Sequence, residues 1–175
     1  MFKGQYGADV SFVTQSGATP KTILNGFDTE LQELSDRQVV IVYLGHNSIS
    51  GGVGTVDDIV SSWDETPSND TYYGWYSKLI LTLQHYMNPN ARIICFGVIY
   101  TEVGANDCIE YLANLYNCYF VSIKQFRTEL TVSNMGDGTH FTALGYSYFA
   151  QLVGEEIDKL LYKNRADFGN IGKIV

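Results

Sequence analysis

Two stretches constrain the fold of this chain more than any others: Gln38–Leu44 (Gln-Val-Val-Ile-Val-Tyr-Leu) and Ala91–Tyr100, which holds Ile93, Ile94, Cys95 and Phe96 in a row. Neither alternates apolar with polar residues, as a strand with one wet face would. A short, nearly continuous, β-branched run is what a parallel strand buried on both faces requires. Parallel neighbours need a crossover, and the crossover is usually a helix. The segment Thr71–Tyr86 between the two runs supplies one, with Trp75, Leu79, Ile80 and Leu83 on one side and Asn88-Pro89-Asn90 as its stop.

The rest of the chain continues the alternation. Asp9–Gln15 reads as a first strand. Thr19-Pro20 then opens a helix, with Thr as N-cap and Pro at the first position. Ile23, Leu24, Phe27, Leu31 and Leu34 follow helical spacing in it. Ala105–Tyr116 reads as a helix, Cys118–Ile123 as a strand, and Thr142–Tyr162 as a helix with Leu144, Tyr148, Leu152, Ile157 and Leu160 inside. The order predicts an α/β fold, a parallel sheet with helices on both faces. One domain is expected over residues 1–163, followed by an arm over residues 164–175. The segment His46–Asn69, rich in Gly, Ser, Asp and Thr, is long enough to be a lid or binding loop.

Composition narrows the function. The hydrophobic share of 45% and charged share of 17% exclude disorder. No apolar run approaches the roughly 20 residues of a membrane helix, so no membrane partner is expected. A net charge of −8 without a basic cluster disfavours nucleic acid. Met1–Tyr6 has no apolar h-region, so no signal peptide is expected, and the compartment stays open. Cys95, Cys108 and Cys118 make neither a disulfide framework nor a CxxC metal pattern. Cys95 reads as a small core residue. Cys108 and Cys118 are close enough in sequence to pair, but free thiols are the expectation.

In open α/β sheets the site lies beyond the C-terminal strand ends. Three loops there carry chemistry. In Asp137-Gly138-Thr139-His140, an Asp three residues before a His can reach imidazole Nδ1 and leave Nε2 free to take a proton. The plain alternative is a turn Asp and a surface His. Asn47, after Gly45-His46, can donate its amide to an oxyanion or make an Asx-turn. Gly17, between Ser16 and Ala18-Thr19, offers a bare backbone N–H or is a simple turn glycine.

Taken together, Ser16-Gly17-Ala18-Thr19, Gly45-His46-Asn47 and Asp137-Gly138-Thr139-His140-Phe141-Thr142-Ala143-Leu144-Gly145-Tyr146 resemble blocks II, III and V of the SGNH (GDSL-like) hydrolases. The resemblance runs from about Asp9 to Tyr162. Ser48 stands where many members carry Asp. The resemblance implies a three-layer α/β/α, flavodoxin-like sheet and a serine ester hydrolase. His140 would be the general base, Asp137 its orienting partner, and Gly17 N–H and the Asn47 amide the oxyanion donors. It implies no metal and no organic cofactor. Its substrates would be esters, with acetylated carbohydrate favoured by the family's habit and by the polar, aromatic long loop.

The family's nucleophile sits in a Gly-Asp-Ser motif, and this sequence has none. The first strand is therefore expected to be lacking. Its loss would leave a slot of about two strand spacings, each ~4.8 Å, between Asp9–Gln15 and Gln38–Leu44. A partner chain, a second copy, the arm Phe168–Val175 or direct pairing of the flanking strands could close it. Ser16 is a substitute nucleophile of low standing, and Ser48 of lower. His46 reads as a loop histidine and His85 as a helix C-terminal cap. Tyr72, Tyr73, Trp75 and Tyr76 form the best sugar-stacking cluster, with core packing the alternative. The competing function is an inactive carbohydrate-binding or structural module on the same fold. A nucleotide binder is disfavoured, since no phosphate-cradling glycine loop follows a strand.

Overall fold

The computed structural model describes residues 11–99, 103–122, 136 and 140–164. The chain divides into two compact units, Val13–Ser122 and a second made of Met1–Phe12 with Ile123–Val175.

The first unit is a mixed α/β structure around a three-stranded parallel sheet. Strands β1 (Val39–Val42), β2 (Arg92–Phe96) and β3 (Tyr119–Val121) lie side by side in sequence order. Val40 is opposite Ile93, and Cys95 opposite Phe120. This is the parallel pairing that the two apolar runs demand. The crossovers are α3 (Tyr72–Tyr86) between β1 and β2 and α4 (Ala105–Leu115) between β2 and β3. They are preceded by α1 (Pro20–Gly26) and α2 (Asp28–Gln32).

Helix starts follow local chemistry. The Thr19 hydroxyl accepts from Thr22 N while Thr22 Oγ1 accepts from Thr19 N, a reciprocal cap behind Pro20. Thr71 caps α3 by accepting from Gly74 N. The expected single helix after Thr19 is broken at Phe27, whose φ of −132° and ψ of 34° are not helical. Ile23 and Leu31 are buried on either side of the break, with Leu24, Phe27 and Leu34 packed against the same core.

That core lies on the sheet face presenting Val40, Val42, Ile93 and Cys95. Against it pack Tyr76, Leu79, Ile80 and Leu83 of α3 and Cys108, Ile109 and Leu112 of α4. On the opposite face Ile94, Phe96 and Val121 are buried as well. Among the described strand residues Ile41 of β1 is the exposed apolar one, at 44%.

The expected strand Asp9–Gln15 is corrected in its described part. Ser11–Gln15 is irregular, and Phe12 is 81% exposed. No described strand pairs with it, and an extended segment without a ladder does not hold as a strand. Direct pairing of this segment with β1 is therefore not the way β1's flank is managed within the described residues. The arm Phe168–Val175 lies outside them.

In the second unit, α5 (Ala143–Lys163) is capped by Thr142, which accepts from Gly145 N. Leu152 and Ile157 are buried as expected, whereas Leu144 is 72% exposed and Tyr148 is exposed too. The inner stripe starts one residue later, at Gly145 and Phe149. Phe141 decides the phase: its ring stacks on Phe149 at 5.2 Å and meets Tyr146 edge-on at 5.4 Å. No helix among the described residues is long and apolar enough to cross a membrane.

Candidate functional site

Gly17 and Asn47 come from loops far apart in sequence, and tertiary structure joins those loops. Asn47 Nδ2 donates to the Ala18 carbonyl at 2.9 Å across a sequence separation of 29. Ser16 and Gly17 form the tip of a turn closed by Ala18 N donating to Gln15 O at 3.2 Å. Gly17 has φ +71°, and a Cβ built on it would meet nothing within 4 Å. Its requirement for glycine is thus conformational, and the backbone there faces open space. Ser16, Gly17, Asn47 and Ser48 are all exposed. An amide nitrogen carries two hydrogens, so the bond to Ala18 leaves Asn47 one more to donate.

The Asn47 loop is held from below. The Tyr72 hydroxyl, fully buried at the start of α3, donates to the Asn47 carbonyl and lies 3.3 Å from the Gly45 carbonyl. Gly45 itself is enclosed, since a Cβ there would come within 3.2 Å of Ile109 and Val98. His46 Nε2 sits 2.6 Å from the Tyr43 hydroxyl, with the rings edge-on at 5.3 Å. His46 is thereby tied to the end of β1.

Asp70, which sequence reading missed, organises the same region. Its carboxylate accepts from Lys21 Nζ at 2.9 Å, from Trp75 Nε1 at 2.8 Å and from the Ser50 hydroxyl. The Ser50 hydroxyl and then the Lys21 ammonium hold its pKa below the usual aspartate value. Lys21 belongs to the helix after Gly17, and Ser50 to the loop after Asn47. Asp70 therefore clamps both donor loops to the start of α3. The sequence signal was Asn69-Asp70-Thr71, a polar triplet directly before a helix.

His140 lies in the second unit and is exposed, with its carbonyl accepting from Gly136 N at 2.7 Å. Asp137 lies outside the described residues. The structure thus joins the Gly17 and Asn47 loops within one unit and assigns His140 to the other.

The aromatic residues redistribute. Tyr72 and Tyr76 are fully buried and Trp75 is 8% exposed, so three of the four proposed sugar-stacking rings are core. The residues sit at the helical spacing that faces the sheet, which is why burial wins. The exposed aromatic of the long loop is Trp63, stacked on His85 at 3.9 Å with Tyr86 edge-on at 5.8 Å. His85 thus sits in the last turn of α3, its ring against Trp63. Among the described residues no three His, Cys, Asp or Glu side chains are grouped to hold a metal.

No protein-family model, no curated protein and no solved structure matches this chain. The reading of the site therefore rests on its residues.

Proposed function

We propose that this chain is an SGNH-type ester hydrolase module with a three-layer, flavodoxin-like fold, acting on an acyl ester, with acetylated carbohydrate as the favoured substrate. The observation that carries the reading is the Asn47–Ala18 hydrogen bond, which holds two of the three motif loops together. In this reading Gly17 N–H and the second Asn47 amide hydrogen bind the oxyanion of the tetrahedral intermediate. His140 takes the proton from the attacking serine hydroxyl and returns it to the leaving alkoxide. Asp137 holds the imidazole in the tautomer that accepts at Nε2. The family's serine sits in a Gly-Asp-Ser motif, which this sequence does not contain. Ser16, exposed at the turn beside Gly17, is the substitute within the chain.

The absence of Gly-Asp-Ser also favours a second reading, a module that kept the fold and binds carbohydrate without turnover. The exposed Trp63 supports that reading, since aromatic faces stack on sugar rings.

Hydrolysis of p-nitrophenyl acetate separates the two. Turnover that disappears in His140→Ala supports the hydrolase. Absence of turnover, with acetylated glycan bound and binding lost in Trp63→Ala, supports the binding module. A coding sequence upstream of Met1 that ends a hydrophobic strand in Gly-Asp-Ser would locate the nucleophile.

A further inference from the structure

The long loop follows α3 from its first turn to its last. Tyr72 N and Tyr73 N donate to the Gly52 and Val53 carbonyls at 3.0 and 3.1 Å. Further along, Val60 N donates to Ser77 Oγ at 3.2 Å, and Lys78 Nζ donates to the Glu65 carbonyl at 2.6 Å. Trp63 reaches the last turn of α3, where its ring stacks on His85 at 3.9 Å and 13° from parallel, with Tyr86 edge-on. The chain then returns, and Asn69 Nδ2 donates to Asp58 at 2.6 Å. Trp63 thus lies at the tip of the loop, Ser61–Glu65.

The tip closes on itself. Ser61 donates through its backbone N and its hydroxyl to the Glu65 carboxylate, each at 2.7 Å, and the Ser62 hydroxyl donates to Asp64 at 2.7 Å. These bonds shape the turn but do not fasten it to the helix. Among the described residues, Lys78 and the Trp63 ring do that. Trp63 is 37% exposed and His85 is exposed as well, so solvent protons reach the imidazole without any opening of the fold.

We propose that the Trp63–His85 stack is a pH-sensitive latch, in which the imidazolium holds the loop tip on the end of α3 and loss of its proton loosens the tip. The charged and titratable groups around His85 among the described residues are Asp64 and Glu65 of the tip and Lys78 and Tyr86 of α3. Tyr116, after α4, donates to the Val60 carbonyl at 3.3 Å at the base of the tip. The Ser62 hydroxyl and then the backbone hold Asp64 below the usual aspartate range, with smaller attractions from the Lys78 and His85 charges. The Ser61 hydroxyl does the same for Glu65. Both carboxylates are therefore ionised above about pH 5, and of the residue types present imidazole is the one that changes charge between pH 5 and 8. What the tip offers an imidazolium is the indole face, which attracts a cation, and the Asp64 carboxylate. Lys78 opposes that charge, but its ammonium is bonded to the Glu65 carbonyl. A neutral imidazole keeps only the ring stacking, so docking of the tip is tighter on the acid side. The latch stands apart from whether the module hydrolyses an ester or only binds one.

The test uses the full chain and follows amide hydrogen exchange of the Ser61–Glu65 peptide by mass spectrometry from pH 5 to 8, each rate divided by its intrinsic value at that pH. The expected result is protection about two- to fivefold higher at pH 5 than at pH 8, changing along a one-proton curve. His85→Gln and Trp63→Leu are expected to give the low protection at every pH, whereas His46→Gln and His140→Gln keep the step. Protection that is flat or falls toward acid in the wild-type chain would overturn the proposal. So would a step that survives in His85→Gln, or one that disappears with His46 or His140 instead. The wild-type curve is read without any substitution, and tryptophan fluorescence over the same range gives a second reading of it, so a folding failure of one variant leaves the test standing.

Discussion

The side-chain amide of Asn47 donates to the backbone carbonyl of Ala18 at 2.9 Å and so ties together two loops that leave different parts of the chain. Asn47 is exposed, which limits the stability this bond contributes. Asn47→Ala is expected to lower unfolding free energy by about 0.5–1 kcal/mol. Under the hydrolase reading it also lowers turnover by about 10²–10³ with a smaller change in KM. Loss of stability without loss of turnover would assign Asn47 a purely architectural role.

Tyr72→Phe probes the support beneath that loop. The change removes the hydroxyl that serves the Asn47 and Gly45 carbonyls in a fully buried position. A buried acceptor left without its donor costs about 1–3 kcal/mol. For a chain of this size that is a fall in Tm of about 2–4 °C per kcal/mol, measurable by calorimetry.

Acid should weaken the Asp70 clamp. Asp70 is shifted down by Ser50 and Lys21, and Asp58 by Asn69 and Thr55. A native pKa below the unfolded value of about 3.9 means that the unfolded chain binds more protons at low pH. The contribution is therefore fully present above about pH 4 to 5 and is lost as pH falls through the native value. Urea midpoints should be flat from pH 7 to 5 with respect to these groups and drop below pH 4. Asp70→Ala should cost about 1 kcal/mol at pH 7, since the carboxylate is one-third exposed, and should flatten the acid limb.

Gly51 and Gly52 make a matched pair. A Cβ on Gly51 would lie 2.4 Å from the Asp70 carbonyl oxygen, whereas one on Gly52 would meet nothing within 4 Å. Gly51→Ala forces backbone to move and should cost about 1–3 kcal/mol. Gly52→Ala carries only the strain of its φ of +68°, about 1 kcal/mol. Equal melting temperatures for the two variants would contradict the close approach at Gly51.

Tyr76→Phe should be neutral or stabilising in thermal melts, because its buried hydroxyl meets no partner at ordinary hydrogen-bond geometry among the described residues. Tyr76→Ala should cost about 3–5 kcal/mol by opening a cavity in the core. A glycan-binding defect in Tyr76→Phe with an unchanged Tm would restore the sugar-platform reading of this ring.

Much of this molecule was legible because it is local. The β-branched run Val39–Val42 was legible as a parallel strand, although Ile41 shows that one of its faces is not covered as the run suggested, and Thr19, Thr71 and Thr142 each satisfy a helix N-terminus with their own hydroxyls. The side-by-side order of β1, β2 and β3 follows the tendency of consecutive parallel strands joined by a helical crossover to lie next to each other. Tertiary packing decided the rest. Periodicity cannot phase α5, because Leu144, Tyr146, Tyr148 and Phe149 are apolar on every side, and the Phe141–Phe149 stack selects the face. Residue type cannot say whether Tyr72, Trp75 and Tyr76 meet a sugar or a sheet, because an aromatic ring suits both. Nor does spacing in the chain reveal that Asp70 gathers Lys21, Ser50 and Trp75. Those contacts exist only once the loops and helices are brought together, since hydrogen bonds depend on distances of a few ångströms that sequence separation does not encode.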